Sequence, residues 1–346
     1  MFKKDFLILI PAHNEEKVIG STLKSIKNLD YPKDKFNVII IADNCTDNTC
    51  GVVKNEGFFC FIKNDGEPKS KAYALKWFLR NFKEMDKYNR IVILDADTLI
   101  DKNFLKVISN CEDKILQSFV KPLFNKNSIS SSLSGYSELL SQEISDKIKK
   151  IFNWSVVLRG TGMVFEMEIF KKYFPLLKTY IEDTELSILL IKDGYKITFV
   201  PEAIVMDPKP TSFKYASKQR TRWLYGQFEI LKYYWRDMFN IMFSSIGNFF
   251  FISSIIFKPK TIFYLLKFLL LVIVFFSRFP LRKPLIIILL ILISIDICYY
   301  LFGIFVVEDK KHYLKTMVFA PVYIIIWLMS FIKSLIIRGK RWTRAR

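Results

Sequence analysis

The stretch LILIPAHNEEKVIGSTLKSI, residues 7–26, carries the pattern on which the fold turns. It opens on an apolar run and breaks at Pro11 into the polar cluster His13-Asn14-Glu15-Glu16. It then runs through Glu15–Asn28, where Val18, Ile19, Leu23 and Ile26 recur at helical spacing. A short apolar run bounded by a turn reads as a buried strand, and apolar residues three to four apart read as one face of a helix. Phe6–Ile10 is therefore predicted as a strand and residues 15–28 as a helix. The same unit returns three times. Asn37–Ala42, rich in Ile and Val, ends at Asp43-Asn44 before a helix over Thr46–Glu56. Phe58–Ile62 precedes a helix over Lys69–Phe82, with Ala72, Leu75, Leu79 and Phe82 on one face. Arg90–Leu94 ends at Asp95-Ala96-Asp97. Such alternation predicts an α/β fold, a mostly parallel sheet with helices on both faces. Ligands of these sheets bind beyond the carboxyl ends of the strands, where the polar clusters fall.

Beyond Lys114 the alternation is less regular. Gly160-Thr161-Gly162 interrupts a strand-like stretch, and Tyr180–Ile191 is helical. Ile197–Val200 and Ala203–Met206 read as two strands. Phe213–Tyr234 is a long amphipathic helix with Arg, Trp and Tyr, suited to a membrane interface.

The composition then changes. Residues 1–237 mix charged and apolar residues as a soluble α/β domain does; from Met238 long apolar runs dominate. Phe239–Phe257, Thr261–Ser277, Leu285–Val307 and Thr316–Ile337 approach the ~20 residues that a bilayer span needs. The chain is thus divided into a soluble α/β unit over 1–237, with an interface helix at 211–237, and a transmembrane helical region over 238–346 with a basic tail. The formal charge is +19. Its basic residues flank the apolar stretches: Lys258 and Lys260, then Arg278, Arg282 and Lys283, then the tail from Arg338. That placement fits anionic lipid headgroups and control of topology. No zinc-finger or RNA-binding signature accompanies it, so a lipid bilayer and not nucleic acid is the expected partner. With both ends and Arg278–Lys283 inside, four crossings are predicted, with 258–260 and Glu308–His312 outside; an interfacial first stretch would leave three. Phe6–Ile10 is too short for a signal peptide, which puts residues 1–237 in the cytosol. The five Cys (45, 50, 60, 111 and 298) show no paired spacing, as in a reducing compartment. Two His, His13 and His312, exclude a His-rich zinc site.

Five features carry candidate chemistry. Asp95 and Asp97 follow a strand closely enough to share one hard divalent cation, although Asp at a strand end also caps backbone N–H groups. Asp43 either faces a ligand at the same sheet edge or caps the next helix. Lys71, near a helix N-terminus, suits a phosphate; an ordinary solvated Lys fits as well. Glu182, Asp183 and Glu185 lie within one helical turn. Mutual repulsion and partial burial would raise one pKa into the range of a usable base, while charge opposite the helix dipole explains the same residues. Gln219, Arg222 and Trp223 share a helix face. A guanidinium there can clamp a diphosphate, and an indole can stack on a sugar.

Seven segments in order, LILIPAHNEEKVIGSTLKSI, VIIIADNCTDNT, SKAYALKW, VILDADTLID, RGTGMVF, IEDTELSILLIKDGYKITFVPEA and QRTRW, resemble the membrane-bound family 2 glycosyltransferases. That superfamily includes cellulose, poly-N-acetylglucosamine and hyaluronan synthases. The closing Arg341-Trp342-Thr343-Arg344 is similar to a terminal signature of one branch. The resemblance implies a GT-A fold and inverting transfer from a UDP-sugar, UDP-glucose or UDP-N-acetylglucosamine, to a glycan or lipid-linked acceptor at the cell membrane, with Mg2+ or Mn2+. By it Pro11, Ala12, Glu15 and Asp43 line the nucleoside pocket, and Lys71 and Asp95 approach the nucleotide. Asp97, with Asp95, holds the metal. Asp183 is the general base and Glu182 a positioning neighbour. Gln219, Arg222 and Trp223 border the diphosphate and acceptor. Two departures stand out: Lys69-Ser70-Lys71-Ala72 replaces the usual Gly-Lys-Gly, and the N-terminal spans of several polymer synthases do not precede the domain. The second leaves chain extension and single-sugar addition to a glycolipid both open. A transporter or channel with a nucleotide-binding head rests only on Lys267 and Asp296 within apolar stretches, and leaves the carboxylate motifs without a role.

Overall fold

The first apolar run forms strand β1 (Phe6–Ala12), which continues through Pro11 and is buried at every residue. The computed structural model describes residues 4–66, 70–258 and 260–336. After β1, α1 (Ile19–Lys27) leads to β2 (Phe36–Asp43), α2 (Thr49–Asn55) to β3 (Phe59–Lys63), and α3 (Lys71–Asn81) to β4 (Arg90–Ile93). The short β5 (Leu99–Ile100), α4 (Phe104–Ser109) and β6 (Ile115–Leu123) follow. Helix α5 (Ile129–Leu140) passes through a π-helical stretch, Ser141–Asp146, into α6 (Lys147–Ile151). Strand β7 (Met163–Glu166), α7 (Met167–Tyr173), α8 (Glu182–Lys192) and β8 (Thr198–Pro208) complete the mixed α/β sheet domain. The two strands expected between Ile197 and Met206 are one, with an irregularity opposite Ser118 and Phe119.

The eight strands form a single sheet in the order β3-β2-β1-β4-β7-β6-β8-β5. The expectation of a mostly parallel sheet holds for β1 to β4 but not beyond. Four of the seven pairings are parallel and three antiparallel. Strand β7 runs antiparallel to both β4 and β6 because the chain enters it from the Gly160–Gly162 turn, at the ligand-side edge. Met163 pairs with Ile93, so that turn lies beside Asp95. Gly160 and Gly162 have φ of +80° and +64°, a region where a Cβ is strained. A Cβ on Gly162 would also overlap Ser118 Oγ.

The central strands are buried on both faces, which is why they read as continuous apolar runs. Leu7, Leu9, Ile39, Ile41, Ile91 and Ile93 pack toward α3, α7 and α8. Phe6, Ile8, Ile10, Val38, Ile40 and Val92 pack toward α1, α2 and α4. Cys50 on α2 and Cys60 on β3 are joined in a disulfide, their Cα atoms 5.8 Å apart. The expectation of unpaired cysteines is corrected here: α2 folds back along β3 and brings positions ten apart face to face.

The C-terminal part departs further from expectation. Helix α9 (Phe213–Met242) runs on past the predicted boundary at 237. It is followed by α10 (Ile246–Ile256), α11 (Lys260–Phe276), α12 (Arg282–Val306), α13 (Lys310–Met317) and α14 (Ala320–Ile336). Four full-length membrane helices are not found among the described residues. Among the described residues only α12 is long and apolar enough to cross; its 25 residues reach ~37 Å at helical rise. The apolar part of α11 falls short, and α13 with α14 passes only as a pair bent by 57°. The first predicted span is instead α10, and its Phe251, Ile252 and Ile255 are buried in the core beneath α9. Lys267 of α11 and Asp296 of α12 pair with each other, which satisfies both ions within the apolar helices. Helix α14 docks on α9: Ser330 Oγ lies 3.0 Å from Ser217 Oγ, and the Arg220 guanidinium lies 4.4 Å from the Tyr323 ring centre and 5.1 Å from that of Trp327. The tail with Arg341-Trp342-Thr343-Arg344, and its predicted inside placement, lies outside the described residues.

The glycine turn gives a direct test of the packing beside Asp95. Gly162→Ala adds both the strained φ and an overlap with Ser118, so it is expected to lower stability by ~1–3 kcal/mol, the usual cost of overpacking. Thermal unfolding of the purified chain in detergent measures this; an unchanged midpoint would show that Ser118 and Val205 yield freely.

Candidate active site

A cavity of about 440 Å³ opens at the carboxyl ends of β1 and β4. Of the residues singled out in the sequence, Pro11, Glu15, Lys71, Asp95, Asp97, Glu182, Asp183, Gln219, Arg222 and Trp223 line it. Ala12 and Asp43 do not; both are buried behind its wall. The reason lies in β3. Lys63, also buried, sends its ammonium to Asp43 Oδ1 at 2.6 Å, and Asn44 Nδ2 donates to the same oxygen at 2.7 Å. The other oxygen, Oδ2, is buried with no hydrogen-bond partner. His13, which does line the cavity, places Nδ1 2.8 Å from the Asp43 carbonyl oxygen.

Lys71 organises the floor. Ser70 caps α3 by accepting from Tyr73 N, and this sets Lys71 at the helix start. Its Nζ lies 2.5 Å from Asp95 Oδ1, 2.6 Å from the Gly160 carbonyl oxygen and 3.5 Å from Glu182 Oε1. Burial pulls the Lys71 pKa down, but Asp95 and Glu182 together outweigh it and the net shift is upward, so the group stays charged. The Asp95 backbone N–H donates to Thr161 Oγ1 at 3.1 Å, which fastens the Asp-x-Asp turn to the glycine turn. Among the described residues no group of three or more His, Cys, Asp or Glu is placed to hold a metal by itself. Asp95 and Asp97 offer two carboxylates from one turn.

The three carboxylates of α8 divide by function. Glu185 turns inward: it accepts from Lys178 N, Thr179 N, Thr179 Oγ1 and Tyr234 Oη, at 2.5–2.9 Å, and so ties the preceding loop to α9. Glu182 is pushed up to about 7, by burial first, then by the charges of Asp183 and Asp95, with Lys71 opposing. Asp183 is also raised, by burial, and Lys258 is the chief group holding it down. Its Oδ1 accepts from Thr184 N at 2.6 Å. Its Oδ2 faces Gly160, where a Cβ would stand 3.6 Å away. Glycine at 160 therefore leaves open the space above that oxygen.

Residues without a role in the sequence reading also line the cavity. Arg159 opens the quoted Arg-Gly-Thr-Gly run, which marked it by position but gave it no chemistry; its guanidinium pairs with Asp146. Lys209 pairs with Glu138 and Asp207. Lys258 and Lys260 were expected outside the membrane, as flanks of a first span. They line the cavity instead, because α10 packs into the core and returns the chain to the cleft. Arg220, between Gln219 and Arg222, is 2% exposed. It turns toward α14 and donates to Ser134 Oγ at 2.9 Å.

Comparison with known proteins bears on this geometry. The profile of a family described as "Glycosyltransferase like family 2" matches residues 4–226. "Probable glycosyltransferase YdaM" of Bacillus subtilis is 32% identical over 245 residues, 65% of this chain and 56% of that protein. "Poly-beta-1,6-N-acetyl-D-glucosamine synthase" of Staphylococcus aureus (strain COL) is 28% identical over 249 residues, 68% of this chain and 56% of that protein. The chain thus spans little more than half the length of either relative. A mannosyltransferase from Pyrobaculum calidifontis, solved in complex with GDP-Man and Mn2+, has a TM-score of 0.58 over 96% of this chain and 88% of that one, at 14% identity. That likeness is one of GT-A fold.

The raised pKa of Glu182 has a sign that can be read without substrate. Between its ordinary value of 4.5 and about 7, the folded chain keeps a proton that the unfolded chain has released. Folding stability therefore falls as pH rises through that window. Glu182→Gln removes this dependence, so the variant is expected to gain on the wild type from pH 5 to pH 8. Thermal midpoints across that range check it; parallel curves would show that Glu182 titrates normally.

Proposed function

We propose, for a chain that belongs to the glycosyltransferase-like family 2 of enzymes, that it transfers a sugar with inversion from a UDP-sugar to a hydroxyl of a growing polysaccharide or lipid-linked glycan. The observation that carries this reading is the single cavity that holds Lys71, Asp95 and Asp97 against Asp183, with Gln219, Arg222 and Trp223 from α9 along one wall. Lys71, Asp95 and Asp97 suit a nucleoside diphosphate, Asp183 an acceptor hydroxyl, and the α9 wall borders both. The synthase relative is named for a polymer of N-acetyl-D-glucosamine, and this supports UDP-N-acetylglucosamine as the donor to try first.

The residues divide the reaction as follows. Lys71 and Arg222 offer cationic donors to the diphosphate, whose charge grows as its bond to the anomeric carbon breaks. Asp95 and Asp97 are hard oxygen donors that fit Mg2+ or Mn2+, and the absence of a third protein ligand among the described residues fits an ion completed by phosphate oxygens. Such an ion, when bound, supplies further charge stabilisation to the leaving group. On the opposite side Asp183 Oδ2 takes the proton of the acceptor hydroxyl while that oxygen bonds to the anomeric carbon. Its upward-shifted pKa strengthens it as a base. Trp223, 42% exposed, offers a ring face to the acceptor sugar. Helix α12 is proposed to cross the cell membrane with its Tyr299–Tyr300 end beside the catalytic cavity, which sets Arg278, Arg282 and Lys283 at its far end, against the inside placement that their charge predicts.

Two substitutions separate the roles. Asp183→Asn is expected to bind UDP as the wild type does and to lose ~10²–10⁴-fold in sugar transfer, the usual contribution of a positioned base. UDP titration beside a transfer assay decides it, and retained turnover eliminates Asp183 as the base. Asp97→Asn is expected to abolish transfer and to weaken UDP binding only when Mg2+ or Mn2+ is present. Equal UDP affinity of the wild type with and without the ion would count against a metal-bridged diphosphate.

A further inference from the structure

The cavity also carries charges that the reaction above does not use. Lys258, between α10 and α11, and Lys260, the first residue of α11, line it. Arg159 beside them is already engaged, with its guanidinium on Asp146 and Ser141 Oγ. Among the described residues no carboxylate comes within ion-pair distance of Lys258 or Lys260. The same holds for Lys149, buried behind them and bonded to Ser254 Oγ at 3.0 Å. Lys260 rests on the Tyr299 ring, 4.1 Å from its centre. Of the acidic groups that act on Lys258, Asp146 is committed to Arg159 and Glu138 to Lys209, which leaves Asp183.

These cations make no ion pair among the described residues, and they share a partly closed space with Asp183. Burial first, then repulsion from Arg159, lowers the Lys258 pKa, and Lys149 is pushed down to about 8 by burial and the same neighbours. Cations held this way are costly unless an anion joins them. The position narrows what that anion belongs to. Lys258 is the chief group opposing the upward shift of Asp183, and both line the one cavity. Tyr299 and Tyr300 on its lining come from α12, the helix long enough to cross a bilayer. Base, cations and apolar helix thus line one cavity, with Lys260 on the Tyr299 ring.

We propose that Lys258 and Lys260 form an anion subsite for the acceptor, which seats the phosphate of an amphiphilic phosphate ester beside Asp183 and against Tyr299 and Tyr300. The inference rests on the assignment of the Asp183 side of the cavity to the acceptor, and it narrows the acceptor from any hydroxyl-bearing glycan to one with a phosphate near its reacting end.

The test is binding to the full chain in neutral detergent, by calorimetry. The probes are dihexanoyl phosphatidylglycerol, glycerol 3-phosphate and dihexanoyl phosphatidylcholine. The wild type is expected to bind phosphatidylglycerol saturably and phosphatidylcholine far more weakly. Lys258→Gln with Lys260→Gln should weaken phosphatidylglycerol on the order of tenfold or more, as expected for lost charge-assisted hydrogen bonds, while Lys258→Arg keeps it. Binding of glycerol 3-phosphate as well shows that the phosphate itself is read; binding of phosphatidylglycerol alone points to a lipid headgroup. Equal binding of phosphatidylcholine, or a double variant indistinguishable from the wild type, overturns the proposal. So does displacement of phosphatidylglycerol by saturating UDP, since the lysines would then serve the donor diphosphate. UDP titrated alone keeps the two readings apart: its failure to bind, with phosphatidylglycerol still bound, removes the donor assignment and leaves the subsite standing.

Discussion

The Lys71 ammonium lies within 2.5 Å of Asp95 Oδ1, 2.6 Å of the Gly160 carbonyl oxygen and 3.5 Å of Glu182 Oε1. One charge thus ties the start of α3, the end of β4, the glycine turn before β7 and the start of α8. None of these segments is near another in sequence, and the cavity exists only where they meet. The pair also sets the titration of the site. Without a cation between them, the buried Glu182 would face the half-buried Asp95 as a like charge, a costly arrangement. With it, Asp95 is held by an ion pair, while Glu182, more deeply buried, still rises to about 7. Asp183, one residue on, inherits the raised environment but not the Lys71 hydrogen bond. It keeps an oxygen directed at the open space over Gly160.

The second constraint is the alternation of faces on α9. Gln219, Arg222 and Trp223 line the cavity, while Ser217, Arg220 and Thr221 face α14. A helix buried on both sides cannot slide without disturbing both contacts. Glu185 adds a third anchor through Tyr234 Oη. The cavity wall is therefore positioned from the catalytic side and from the apolar helices at once.

Much of this was legible before the structure. Strands β1 to β4 were visible because a strand buried on both faces must be apolar throughout, and the polar residues that follow must then sit at the sheet edge. The common face of Gln219, Arg222 and Trp223 follows from helical spacing alone. Other features depend on partners that sequence spacing does not reveal. The reversal of β7 is a matter of which strands it meets. Asp43 looked like a cavity residue because nothing local marks Lys63 as the cation that covers it. The disulfide depends on α2 folding back on β3. The placement of Lys258 and Lys260 was missed for a more general reason: α10 is as apolar as a membrane span, and composition does not distinguish a helix buried in protein from one bathed in lipid. Its length does, and that is set by the Ser245 cap and by the break after Ile256.

The way α10 and α14 complete the domain bears on how the molecule can be divided. A fragment ending at residue 237 would keep every carboxylate of the cavity. It would lose Phe251, Ile252 and Ile255 from the core and the Tyr323 and Trp327 rings from the Arg220 guanidinium. A cation otherwise 2% exposed would then stand beside a stripped apolar face. The catalytic half is thus no detachable module, and a soluble enzyme carved from it would need that face rebuilt with polar residues and Arg220 given a new neighbour.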